Sequence, residues 1–243
     1  MKTGLKSILV AALILFGITE STAQFKNTRV KGDGNITTKT VSTSNYSGVK
    51  VVGSMDVHLE KGTEGNISVT TDSNIHEYVE IEVDGNSLEI RIKKNTSVNT
   101  KHGIHVTVPF QEISEILLVG SGDIDTKNTI SGNELELSIV GSGDIKLDVD
   151  VSEIDAKITG SGDMILSGKT GDLEVKISGS GDFEGKMLSA QNADTFISGS
   201  GDAEVNVKNN LKARVNGSGD IRYTGNPATR DTKVSGSGTI KGM

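Results

Sequence analysis

Leu173-Glu-Val-Lys-Ile-Ser-Gly-Ser-Gly-Asp-Phe183 decides the fold, because most of the remaining chain repeats it. Its core, Gly-Ser-Gly-Asp, occurs at Gly120–Asp123, Gly141–Asp144, Gly160–Asp163, Gly179–Asp182, Gly199–Asp202 and Gly217–Asp220, and a Gly-Ser-Gly-Thr variant stands at Gly236–Thr239. Successive first glycines are 21, 19, 19, 20, 18 and 19 residues apart. A fixed period near twenty marks a chain built of stacked, nearly identical units.

The flanks say what each unit is. Two residues before the first glycine stand Leu118, Ile139, Ile158, Ile177, Ile197, Val215 and Val234, and just after the fourth position stand Ile124, Ile145, Met164, Phe183, Ala203, Ile221 and Ile240. Runs such as Leu135-Glu-Leu-Ser-Ile139 and Leu211-Lys-Ala-Arg-Val215 alternate apolar and polar. That period of two places aliphatics on one face of a strand and charges on the other, and no run has the spacing of a helix. One unit has too little apolar surface to hold itself together, whereas stacked units cover one another. The pattern predicts an all-β, right-handed parallel β-helix with coils of about 19–20 residues, each coil about 4.8 Å from the next. A chain of antiparallel hairpins fits less well, since its units would not superpose.

The corner glycines Gly120, Gly122, Gly141, Gly143, Gly160, Gly162, Gly179, Gly181, Gly199, Gly201, Gly217, Gly219, Gly236 and Gly238 read as structural turns in which glycine supplies a positive φ. The aspartate is expected to fold back onto a backbone N–H of its own corner.

Residues 1–23 read as a secretory signal peptide: Lys2 and Lys6, an apolar Ile8–Phe16, and the small-residue exit Ser21-Thr22-Ala23. Residues 24–45, rich in Thr, Ser, Asn and Lys, read as a flexible lead-in that contributes at most one edge strand. Residues 46–110 read as an irregular N-terminal β lobe covering one end of the regular repeats at 111–243. Within that lobe Gly53-Ser-Met-Asp56 is a degenerate corner, Asp84-Gly85-Asn86 a tight turn, and 93–103 a polar loop.

Removing the leader leaves 23 basic against 31 acidic side chains, a charge of −8. Such a surface repels phosphate backbones and anionic membranes, so neither nucleic acid nor stable membrane insertion is expected. There is no cysteine, hence no disulfide stapling and no lipid-anchoring cysteine.

Tyr46-Ser-Gly-Val-Lys-Val-Val-Gly-Ser-Met-Asp-Val-His-Leu59, Val106-Thr-Val-Pro109, the serial corners and Tyr223-Thr-Gly-Asn-Pro227 together resemble the "putative auto-transporter adhesin, head GIN domain" family (DUF2807). The resemblance spans 46–241. It implies a β-helical protein exported by Gram-negative bacteria to the periplasm, outer envelope or exterior. No catalytic residue and no cofactor come with it.

The residues themselves offer little chemistry. Asp123, Asp144, Asp163, Asp182, Asp202 and Asp220 form a column with carboxylates about 5 Å apart, the spacing of a retaining glycosidase pair. Catalysis needs two carboxylates in different environments, and identical corners supply the opposite. The same column is the candidate metal site, for calcium. His102 and His105 are a second candidate pair; the corner serines have no adjacent base, and no helix follows the glycines to make a phosphate loop. The expectation is a non-enzymatic surface module whose partner is a cell-surface or extracellular glycan or protein. A polysaccharide-binding or polysaccharide-active β-helix is the alternative.

Overall fold

The computed structural model describes residues 28–243; the signal-peptide reading of 1–23 lies outside them. The described residues contain no α-helix, only a single 3-10 turn at His76–Tyr78. Nineteen strands follow in order. The first nine are β1 (Thr28–Lys31), β2 (Ile36–Ser42), β3 (Gly48–Gly53), β4 (Asp56–Lys61), β5 (Asn66–Asp72), β6 (Val79–Asp84), β7 (Ser87–Ile92), β8 (Thr96–Asn99) and β9 (His105–Phe110). The stack continues through β10 (Glu115–Gly120), β11 (Ile124–Thr126), β12 (Ile130–Gly141), β13 (Ile145–Gly160), β14 (Met164–Gly179), β15 (Phe183–Gly199), β16 (Ala203–Gly217), β17 (Asp220–Thr224), β18 (Thr229–Gly236) and β19 (Thr239–Gly242). From β10 onward every pairing is parallel, and coil follows coil in a β-solenoid of about seven turns.

Register explains why the repeat is so regular. Each first glycine pairs with the first glycine of the next coil, from Gly120↔Gly141 to Gly217↔Gly236. The aliphatics therefore stack like on like: Ile139, Ile158, Ile177 and Ile197 form one column, each at most 1% exposed. Burying such a side chain contributes roughly 1.5–3 kcal/mol. A neighbouring column reads Leu137, Ala156, Val175, Thr195, Ala213. Thr195 is fully buried there, and its hydroxyl has no hydrogen-bond partner among the described residues. Valine has the same shape without the hydroxyl, so Thr195→Val is expected to stabilise the protein by about 1 kcal/mol in urea melts.

The N-terminal strands join the stack out of sequence order. β3 pairs parallel with β7 on one side and with β10 on the other, and β4 lies likewise between β9 and β11. Gly53 sits opposite Gly120, and Val57 opposite Ile124. The chain thus lays down one coil, makes an excursion that builds the coil beyond it, and returns to continue the stack from the first. Antiparallel strands flank that outer coil: β6 pairs with β7, and β5 with both β9 and β2.

Two expectations are corrected here. The described part of 24–45 is no flexible lead-in: it carries β1 and β2, and β2 runs seven residues antiparallel to β5. The polar stretch 93–103 contains β8, which pairs parallel with β1. Both misreadings have one cause. Each of these strands carries only one or two aliphatics (Val30, Ile36 and Val41, Val98), too few for an alternation to show, and each is held by a partner at least 24 residues away.

Candidate functional site

The Gly-Ser-Gly-Asp corner is the feature most often repeated, and each of its positions has a separate task. The first glycine has φ between +127° and +146° in all seven corners, a region that excludes side chains. Its carbonyl accepts two amides from the next corner; Gly141 O takes Ser161 N–H at 2.8 Å and Gly162 N–H at 3.2 Å. The serine side chain points outward and is exposed. The second glycine is not at positive φ, contrary to the sequence reading. It is required for space, because a Cβ on Gly162 would lie 2.0 Å from the Gly143 carbonyl oxygen of the preceding coil.

The aspartates also depart from expectation. None of the six accepts from its own corner. Each Oδ1 accepts the amide of the equivalent residue one coil on: Asp123 from Asp144 (3.1 Å), Asp144 from Asp163 (2.9 Å), Asp163 from Asp182 (2.9 Å), Asp182 from Asp202 (2.7 Å) and Asp202 from Asp220 (2.8 Å). The series closes where Asp220 accepts both the amide and the hydroxyl of Thr239, each at 2.8 Å. Threonine offers no carboxylate to a further coil, so the ladder ends on it. The Thr239 hydroxyl, then its amide, hold the Asp220 carboxyl below the usual carboxylate range. With the folded value depressed, this contact adds stability above the ordinary carboxylate range and loses it as pH falls through the lowered value.

A ladder of this kind separates acceptor from charge. Asp163→Ala strands the Asp182 N–H and is expected to cost about 1–2 kcal/mol, whereas Asp163→Asn keeps an acceptor oxygen and removes one charge from the column. Urea melts at pH 7 should rank wild type and Asp163→Asn within about 0.5 kcal/mol, with Asp163→Ala clearly below both. The same geometry leaves one oxygen per corner for a cation. Calcium, which needs six or more oxygens, is therefore expected to raise the melting temperature no more than sodium chloride at equal ionic strength. A calcium-specific rise abolished by EDTA would make the column a metal site.

The histidines take different places from those the sequence suggested. His105 Nε2 bonds the main-chain oxygen of His102 at 2.8 Å, so the two rings do not converge as a ligand pair. His105 instead stacks on His58, ring centres 5.9 Å apart. His58 Nδ1 meets Asp125 at 2.8 Å, and His105 Nδ1 lies 3.6 Å from Asp56. This cluster escaped the sequence reading because β4 and β11, 67 residues apart, meet only through the out-of-order stacking. Among the described residues no group of three or more His, Cys, Asp or Glu is placed to hold a metal ion.

Two outward faces carry the remaining polar side chains. On one, Glu115, Glu136, Asp155, Glu174 and Asp194 form an acidic column. In the next column on this face Lys157, Lys176, Phe196 and Arg214 follow one another; Lys157 bridges Glu136 (3.1 Å) and Asp155 (2.8 Å), while Lys212, which continues the acidic column itself, pairs with Asp194 (2.6 Å). On the other face the column Asp125, Lys146, Ile165, Glu184, Glu204, Arg222 is charged except at Ile165. Next to that break β15 slips register between Gly185 and Ser189, and Met187 emerges 74% exposed. Ile165, Leu166 and Met187 line a shallow groove of about 590 Å³ whose rim carries Lys146 and Lys186 together with the carboxylates of Asp125, Asp148, Glu184 and Glu204. The lone aliphatic in a charged column was its only signal in the sequence.

A family model described as "Putative auto-transporter adhesin, head GIN domain" matches residues 45–227. The chain belongs to this family. Solved structures share its fold. A putative adhesin from Bacteroides fragilis NCTC 9343 superposes with a TM-score of 0.83 at 22% identity, covering 88% of this chain and 100% of its own. A putative lipid binding protein from Parabacteroides distasonis ATCC 8503 gives 0.73 at 25% identity, covering 88% and 99%. A putative adhesin from the same organism gives 0.70 at 28% identity, covering 88% and 100%. No curated protein matches the chain. No helix among the described residues is long and apolar enough to cross a membrane.

Proposed function

We propose that this head GIN domain is an exported, non-enzymatic interaction module of the cell envelope. The observation that carries the reading is the acidic column of β12 to β15 with Lys157, Lys176 and Arg214, broken once by Phe196, in the column beside it on the same outward face. They repeat at about 4.8 Å on a rigid body, a surface suited to many weak polar contacts with an extended partner rather than one deep pocket. Glycans and envelope proteins are the partner classes such a surface serves. The corner carboxylates support the non-enzymatic part, since each accepts the amide of the following corner and the one that differs, Asp220, is held in its ionised form rather than as an acid. A glycan and envelope-protein array probed with the purified protein tests this. Binding reduced by Glu136→Lys with Glu174→Lys supports the reading, and cleavage of an arrayed polysaccharide overturns it in favour of an enzyme.

One observation favours a second reading. The groove at Ile165 and Met187 joins aliphatic side chains to a mixed rim of two lysines and four carboxylates, which suits an amphiphile with a neutral polar head. The Parabacteroides distasonis relative named as a lipid binding protein gives that reading further support. Binding of a fluorescent monoacylglycerol, lost in Ile165→Lys, would support it.

A further inference from the structure

Among the described residues the coil made by β18 and β19 is paired on one side only. β18 pairs with β16 along one edge, and β19 with β17. All eight residues of β18 are exposed, although Thr232 and Val234 continue the core columns of Ala213 and Val215, which are at most 2% exposed. Val234 is left 40% exposed. The carboxylate ladder stops at this coil because Thr239 replaces the aspartate, so its corner is not built to receive another of its kind. Unpaired backbone beside exposed core is a pairing template.

The charges on β18 choose the partner. Lys233 stands directly opposite Arg214, a like charge, and has no ion partner among the described residues. Asp231, two residues earlier, is paired with Arg214. We propose that β18 is a dimerisation edge, at which a second copy of this chain pairs antiparallel about a twofold axis through Thr232. In that register Lys233 faces Asp231 of the second copy, and Asp231 faces Lys233 of the second copy. Thr232 meets its own equivalent, and the Arg230 stem lies against Val234 on the core side. Shifting by one residue sets core-facing positions against solvent-facing ones. Centring on Asp231 or Lys233 places identical charges opposite each other. Only the Thr232 register satisfies face and charge together, and a twofold contact of one edge with itself closes without propagating into fibres.

Sedimentation equilibrium of the purified protein over a concentration series is expected to show a dimer. Lys233→Glu gives the discriminating result, because it has opposite effects within and between copies. Within one copy the new carboxylate gains Arg214 as a partner, so the melting temperature of the monomer should not fall. Between copies it meets Asp231, and self-association should weaken about tenfold or more. Asp231→Lys combined with Lys233→Glu restores the cross-copy pairs and should recover the dimer. Should that double variant fail to fold, hydrogen exchange decides: β18 amides of the wild type should gain protection as concentration rises, and those of Lys233→Glu should not. A protein that stays monomeric throughout, or a dimer indifferent to Lys233→Glu, would falsify the proposal.

Discussion

Gly162→Ala is expected to destabilise the protein by about 3 kcal/mol or more, although it adds one methyl group at a surface turn. The new Cβ would lie 2.0 Å from the Gly143 carbonyl oxygen, 3.0 Å from the Ile139 Cγ2 and 3.1 Å from the Gly143 carbonyl carbon. Two of those atoms are backbone, so no rotamer change relieves the overlap, and the coils must separate by roughly an ångström. Separation loosens the amides that Ser161, Gly162 and Asp163 donate to the preceding corner. Ser161→Ala is the matched control: it alters the same corner, but removes only an exposed hydroxyl, whose loss should change stability by less than about 0.5 kcal/mol. Urea unfolding at constant slope measures both. Equal losses would mean that the corners are not held at the spacing that makes the second glycine necessary.

That contrast also marks what the sequence could and could not convey. Period, strand alternation and corner position were legible because the repeat averages over seven corners, and each aliphatic column is spelled out in register. What the second glycine does was not legible. Positive φ and close approach both select glycine, and only the stacking of Gly162 on Gly143 distinguishes them. The aspartate bond is illegible for a related reason: an Asx turn and an inter-coil bond need the same residue at the same place. Sequence proximity favours the first, whereas the parallel stack brings the next corner's amide within 2.7–3.1 Å. The excursion from β4 to β10 lay further out of reach, because nothing local says that β3 will be sandwiched between β7 and β10. The groove stood in between. Ile165 was visible as an aliphatic in a run, but it becomes a break in a charged column only once its neighbours are known to be Lys146 and Glu184.

Phe183→Ala should have the other large effect, about 3–5 kcal/mol of lost stability. Phe183 is 1% exposed and sits in a core column between Met164 and Ala203. The ring fills space that the small Ala203 leaves open, and it also extends over its own strand: a Cβ on Gly185 would fall 2.5 Å from Phe183 Cε1. Truncation therefore empties a volume that two neighbours, Ala203 and Gly185, are too small to reclaim. Gly185→Ala should be destabilising alone for the converse reason, since it overpacks the same space. Combined, the two changes should cost less than their sum by at least about 1 kcal/mol, because the ring that the added methyl would strike is gone. Some cost stays with Gly185→Ala in either background, from the Glu204 carbonyl oxygen at 2.9 Å. A double-mutant cycle read by urea melts gives the coupling directly. Strict additivity would show that Phe183 and Gly185 do not share that space, and that the register slip in β15 is held by something other than the ring.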